Sequence, residues 1–229
     1  MTRTIRFATL AVSAFLSVAP AQAIPIVTSA LRQIDDNDLG FAGPFVISTT
    51  ATSGNFSEGT SVSFGTTSAG ESQDSNILPA SFTGSGQADT TGSGAPSTLA
   101  ASANSFFDVF FDLSLPHSFN LTGTLSELVD GGTSEARFQL TGPGTSIDLS
   151  PTSGNPLNLA QTGLLAAGSY HLLVSAHSEG TGGTNFSDHT HWDFNLALTP
   201  AQVPAPASLM LLGVGAVVLG ALGRWRLRR

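Results

Sequence analysis

The chain has no cysteine and no lysine, and only 10% of its 229 residues are charged. Without cysteine, a disulfide framework, a thiol nucleophile and a thiolate zinc site are excluded. Without lysine, no G-x-x-x-x-G-K-[ST] phosphate loop can be completed. The few cations are displaced to the ends. Arg3 and Arg6 lie at the start and Arg224, Arg226, Arg228 and Arg229 at the end, which leaves Arg32 and Arg137 to face all 16 acidic residues. An interior this acidic repels phosphate backbones and excludes nucleic acid as a partner. Also missing are a G-x-S-x-G nucleophile elbow, an HExxH metal motif, a recognisable glycosidase carboxylate pair and any repeat of fixed period.

The two ends carry the clearest signals. Arg3 and Arg6 precede an apolar stretch at 7–18 (FATLAVSAFLSV), Pro20 breaks any helix, and Ala21-Gln22-Ala23 offers a small-x-small cleavage site. Twelve residues of helix cover only about 18 Å, short of a ~30 Å hydrocarbon core. Residues 1–23 therefore read as a signal peptide, a helix removed by signal peptidase after delivery to the general secretion machinery. At the other end, residues 207–223 (ASLMLLGVGAVVLGALG) hold no charge and are followed by Arg224-Trp225-Arg226-Leu227-Arg228-Arg229. That run spans about 25 Å as a helix, enough for one short transmembrane pass. Trp225 suits the headgroup interface, and Arg224, Arg226, Arg228 and Arg229 stay cytoplasmic by the positive-inside rule. Just outside the span stands Val203-Pro204-Ala205-Pro206, where two prolines forbid helix and hold an extended strip.

A Pro-x-Pro motif, one short span and a terminal arginine cluster together resemble the PEP-CTERM sorting signal of Gram-negative bacteria. The resemblance covers roughly the last 27 residues of the chain. Ala205 stands where the name-giving form has Glu. The resemblance implies an exosortase-like membrane protease as processing partner, acting near Val203, Pro204, Ala205 and Pro206. It also implies anchoring in the inner membrane before processing, then a cell-surface or extracellular location where exopolysaccharide or other glycans are the neighbours.

The segment 24–200 is rich in Ser, Thr, Gly and Asn and shows no amphipathic helix. Period-two alternation recurs instead. Phe107, Val109, Phe111, Leu113 and Leu115 form one face and Pro116 stops the run. Phe119, Leu121, Gly123 and Leu125 form a second, and Ala136, Phe138 and Leu140 a third before Gly142-Pro143-Gly144. Tyr170, Leu172, Val174 and Ala176 form a fourth, and Trp192, Phe194, Leu196 and Leu198 a fifth, ended by Pro200. Strands with Gly/Pro/Ser punctuation predict an all-β fold, an antiparallel β-sandwich of the jelly-roll or immunoglobulin-like type. Residues 24–100 are less regular. Phe45, Ile47 and Thr49, Phe56 and 61–64 read as early strands, while 81–97 reads either as a loop or as polar strands with small side chains. A disordered linker is the rival reading for this half.

Candidate chemistry is thin. His177, Glu179, Asp188, His189, His191 and Asp193 cluster late in the chain, and His189, His191 and Asp193 share one strand face, a pattern that zinc or copper could use. Trp192, Phe194 and Leu196 define the buried side, so that face meets solvent and needs no metal; no cofactor is expected. Asp35-Asp36-Asn37-Asp38 misses the calcium-loop pattern and reads as a solvated turn before Gly40. The reading that follows is an exported surface or extracellular-matrix protein without catalytic activity. The alternatives are a secreted metal-dependent enzyme and a carbohydrate-binding sandwich. An exposed aromatic platform would mark the latter, with Phe106 and Phe110 on the nominal outer face of their strand.

Overall fold

The computed structural model describes residues 24–38, 45–93, 100–181 and 185–201. The signal segment with Ala21 and Ala23, and everything from Gln202 to Arg229, including the sorting motif and the 207–223 span, lie outside the described residues. Among the described residues, no helix is long and apolar enough to cross a membrane.

Twelve strands follow one another: β1 (Ile26–Asp38), β2 (Phe45–Thr49), β3 (Gly54–Phe64), β4 (Thr67–Leu78), β5 (Ser81–Gly92), β6 (Ala100–Leu113), β7 (His117–Leu128), β8 (Thr133–Gly142), β9 (Thr145–Leu149), β10 (Leu157–Leu165), β11 (Gly168–Thr181) and β12 (Phe186–Pro200). They form two six-stranded antiparallel sheets, β2-β1-β6-β11-β8-β9 and β10-β7-β12-β5-β4-β3. Each sheet turns a mainly apolar face to the other, because the side-chain period of a strand is two. The expected faces are buried as read: Phe107, Val109 and Phe111; Leu121 and Leu125; Ala136, Phe138 and Leu140; Leu172, Val174 and Ala176; Trp192, Phe194 and Leu196. Pro116 separates β6 from β7, and Gly144 turns β8 into β9 with a φ of 68° that favours glycine. Leu115 departs from its expected face. The strand stops at Leu113, and Leu115 is exposed in the turn.

Aromatic contacts tie the layers together. Phe194 of β12 meets Phe107 of β6 edge-on at 5.1 Å and Phe138 of β8 at 5.9 Å, while Phe82 of β5 lies 4.9 Å from Phe111 of β6. Complete burial of such a ring contributes about 1.5–3 kcal/mol, and the ring pairs add about 0.5–1.5 kcal/mol each.

The N-terminal half completes both sheets. Residues 81–92 are the polar strand with small side chains, β5, held between β4 and β12. Its inward positions are Phe82, Gly84, Gly86, Ala88, Thr90 and Gly92, and the glycines make room for large rings on β12. Trp192 sits directly opposite Gly86, where a Cβ would lie 2.6 Å from the indole. Gly92 receives Phe186 in the same way. The low local hydrophobicity of β5 is therefore the complement of an aromatic neighbour. The strands β1, β4, β9 and β10 were not signalled by alternation. The inward face of β4 carries Thr67, Ala69, Glu71, Gln73, Ser75 and Ile77, mostly polar and yet buried.

Candidate functional site

The central strand β12 presents His189, His191 and Asp193 on the outer face of its sheet, as their spacing predicts, but does not bring them to one point. An extended chain separates positions 189 and 193 by about 13 Å. Each end member is engaged sideways instead. His189 Nδ1 lies 3.0 Å from Asp89 Oδ1 on β5 and its Nε2 3.2 Å from Ser187 Oγ. Asp193 accepts a short hydrogen bond from Thr124 on β7. His191 lines a shallow cleft with His189, Gln87, Asp89, Ser126 and Glu127. Among the described residues, no group of three or more His, Asp or Glu side chains converges as a metal site. Asp188 points inward, fully buried, and accepts the Asp130 N–H at 2.6 Å, closing the β7–β8 turn.

The acidic run at 35–38 is a correction: it is the end of β1, paired throughout with β6 and at Asp35 and Asp36 also with β2, and not a solvated turn. Asp35 faces outward and accepts from Asn104 Nδ2 at 2.5 Å and Gln33 Nε2 at 2.7 Å. Asp36 is buried between the sheets, where it is hydrogen-bonded to Glu71 of β4. Burial, reinforced by the charges of Asp36 and Asp35, pushes the Glu71 carboxyl up to about 8. At neutral pH Glu71 thus keeps its proton and donates it to Asp36, because two buried carboxylates this close cannot both ionise. Two turns of alternation away, Arg32 is fully buried on the same face of β1. Its guanidinium donates to Gly54 O at 2.7 Å and Ala51 O at 3.1 Å and lies 5.8 Å from the centre of the Phe56 ring. Arg32 therefore pins the β2–β3 connection to β1. Arg32, Glu71 and Gln73 had no signal in the hydrophobic pattern, since buried polar residues read as solvent-facing ones.

The outer face of the other sheet is built in cross-strand rows. Ser29, Phe110, His171 and Thr141 form one; Leu31, Asp108, Leu173 and Gln139 the next; Gln33, Phe106, Ser175 and Arg137 the third; Asp35, Asn104, His177 and Glu135 the fourth. Phe110 is 45% exposed and its ring stacks parallel on the His171 imidazole, centroids 4.2 Å apart. Phe106, on the same face, is only half-buried. His171 Nε2 is held 2.8 Å from Asp108 Oδ1. His177 Nδ1 lies 2.6 Å from Asn104 Oδ1, an oxygen that can only accept, so that nitrogen carries the proton. Arg137 grips Asp148 with two hydrogen bonds of 2.9 and 2.7 Å, and this pairing, with Gln139, holds the Asp148 carboxyl at about 2. The face is thus acidic with its one arginine already neutralised, and the aromatic platform consists of Phe110 backed by His171.

No known family model, no curated protein and no solved structure matches the chain.

Proposed function

We propose that this chain is an exported protein of the cell surface or extracellular matrix, whose all-β domain is delivered and held by its C-terminal tail and carries no catalytic task. One observation carries the reading: the sequence from Val203 to Arg229 joins a Pro-Ala-Pro strip, a charge-free run and an arginine cluster in the order a sorting tail requires. The described structure supports it at the junction. β12 runs to Pro200, and the Ala201 N–H donates to Pro116 O at 2.9 Å, so the tail departs from a strand end that is tied down. The chain passes repeatedly between the two sheets, a trait shared with jelly rolls and immunoglobulin-like sandwiches, and we read the fold as a sandwich of that broad type.

In this account signal peptidase and the secretion machinery act first, the 207–223 span holds the protein in the inner membrane, and an exosortase-like protease then acts at Val203, Pro204, Ala205 and Pro206. Replacing Pro204 and Pro206 together with Ala tests it in the native host. The variant is expected to insert normally and to accumulate in the membrane fraction at full length. Unchanged processing would show that the Pro-Ala-Pro strip is only a linker.

A further inference from the structure

We infer that the outer face of the β2-β1-β6-β11-β8-β9 sheet carries a binding cleft for a neutral hexopyranose unit of a glycan, with Phe110 as its stacking surface. The order of the strands defines the cleft. β6 lies between β1 and β11, and His171 of β11 covers one face of the Phe110 ring. The other face looks toward β1, where the residues alongside are Thr28 and Ser29, both small. A bulge in β1 between Val27 and Ser29 supplies Thr28 as an extra residue, and its hydroxyl donates to Phe110 O at 3.2 Å. Bulges of this kind re-aim side chains and recur next to binding sites.

The result is a cleft of about 440 Å³ lined by Thr28, Ser29, Phe110, Phe111, Asp112, Ser169 and Tyr170. One wall is an exposed ring face, and around it stand one carboxylate and three hydroxyls. That pairing suits a molecule with an apolar C–H face and a rim of hydroxyls, which is what a pyranose presents. The Asp112 carboxylate can accept two hydroxyl donors, and the serine hydroxyls can donate or accept. Charge narrows the class further. Asp108 and Asp112 flank the ring, and Arg137, the arginine on this face, is engaged by Asp148. Anionic sugars meet repulsion and no compensating cation, so the occupant is a neutral glycan.

This inference names a ligand for the non-catalytic surface protein proposed above, but it is tested without the sorting tail taking part, so either reading can fail alone. The full chain, kept in a non-ionic polyoxyethylene detergent with no sugar headgroup, is run in native gels containing dextran, laminarin, galactomannan or alginate. Retardation is expected in at least one neutral polysaccharide and not in alginate. Phe110→Ala should weaken that retardation by roughly tenfold or more in apparent Kd. Phe45→Ala, which removes another exposed ring at an edge strand, should leave it unchanged. Asp112→Asn keeps the shape of the side chain and should weaken binding by a comparable factor, so the test survives any misfolding of the Phe110 variant. No retardation in any neutral polysaccharide, or retardation that Phe110→Ala and Asp112→Asn leave intact, would overturn the inference.

Discussion

Replacing Glu71 with Gln should remove a pH dependence that the wild-type domain carries in its core. Glu71 is 3% exposed, faces Asp36 across the two sheets, and has its carboxyl raised from 4.5 to about 8, first by burial and then by the charges of Asp36 and Asp35. The folded chain therefore retains a proton that the unfolded chain has already released. Its contribution to stability is complete below about pH 4.5 and is withdrawn as pH rises toward about 8. Inside that window one proton corresponds to about 1.4 kcal/mol per pH unit, so the whole loss is on the order of a few kcal/mol. Against a usual folding margin of about 5–15 kcal/mol, that is readily measured. Gln keeps the size of the side chain and offers Asp36 an N–H in place of the carboxyl proton. Urea unfolding followed by Trp192 fluorescence at pH 5, 7 and 9 is the assay. Wild type should lose midpoint steadily toward pH 9, Glu71→Gln should lose much less, and the variant should be the more stable of the two at pH 9. Parallel pH profiles for the two proteins would refute the assignment of the proton to this pair.

Other consequences follow from the same packing and from the tail. Gly86→Ala should destabilise the fold by about 1–3 kcal/mol, because its Cβ would collide with the Ser105 hydroxyl and sit 2.6 Å from the Trp192 ring; an unchanged unfolding midpoint would show that both side chains can move aside. Trp192→Ala should cost about 3–5 kcal/mol, read by urea denaturation followed by far-ultraviolet circular dichroism. The double substitution His189→Ala with His191→Ala should leave metal content after dialysis unchanged, since His189 is engaged by Asp89 and, among the described residues, no group of three ligands converges there; a loss of bound zinc or copper would revive the metal-dependent reading. Leu212→Arg should release the protein from membranes under alkaline extraction, because an arginine at mid-span costs about 2.5–3.5 kcal/mol on insertion scales.

How much of this was legible depends on which residue types fill a face. Where Phe, Leu, Val and Trp alternate with polar residues, as in β6, β8, β11 and β12, the period of two places the strands and the buried side together. β5 was half legible, because Gly84, Gly86 and Gly92 look like loop residues until Trp192 and Phe186 are seen to occupy the space above them. β4 was not legible at all: Glu71, Gln73 and Ser75 are buried, and a polar residue inside a fold gives the same pattern as one outside it. The same ambiguity misplaced Asp36, whose neighbours in sequence are acidic but whose neighbour in space is Glu71. For the outer-face sites, position on a strand was readable and company was not. His189, His191 and Asp193 share a face as expected, yet cross-strand partners decide what each one does. Phe110 was readable as outward, whereas its stacking on His171 depends on a register that only the paired strands reveal.

The central claim concerns delivery, and it is tested most directly by the intact mass and terminal peptides of the protein recovered from its native host. The account predicts a chain that begins at Ile24 and ends near Val203 to Pro206. A recovered chain that still carries Arg229 would contradict it and make the protein a permanent single-pass anchor.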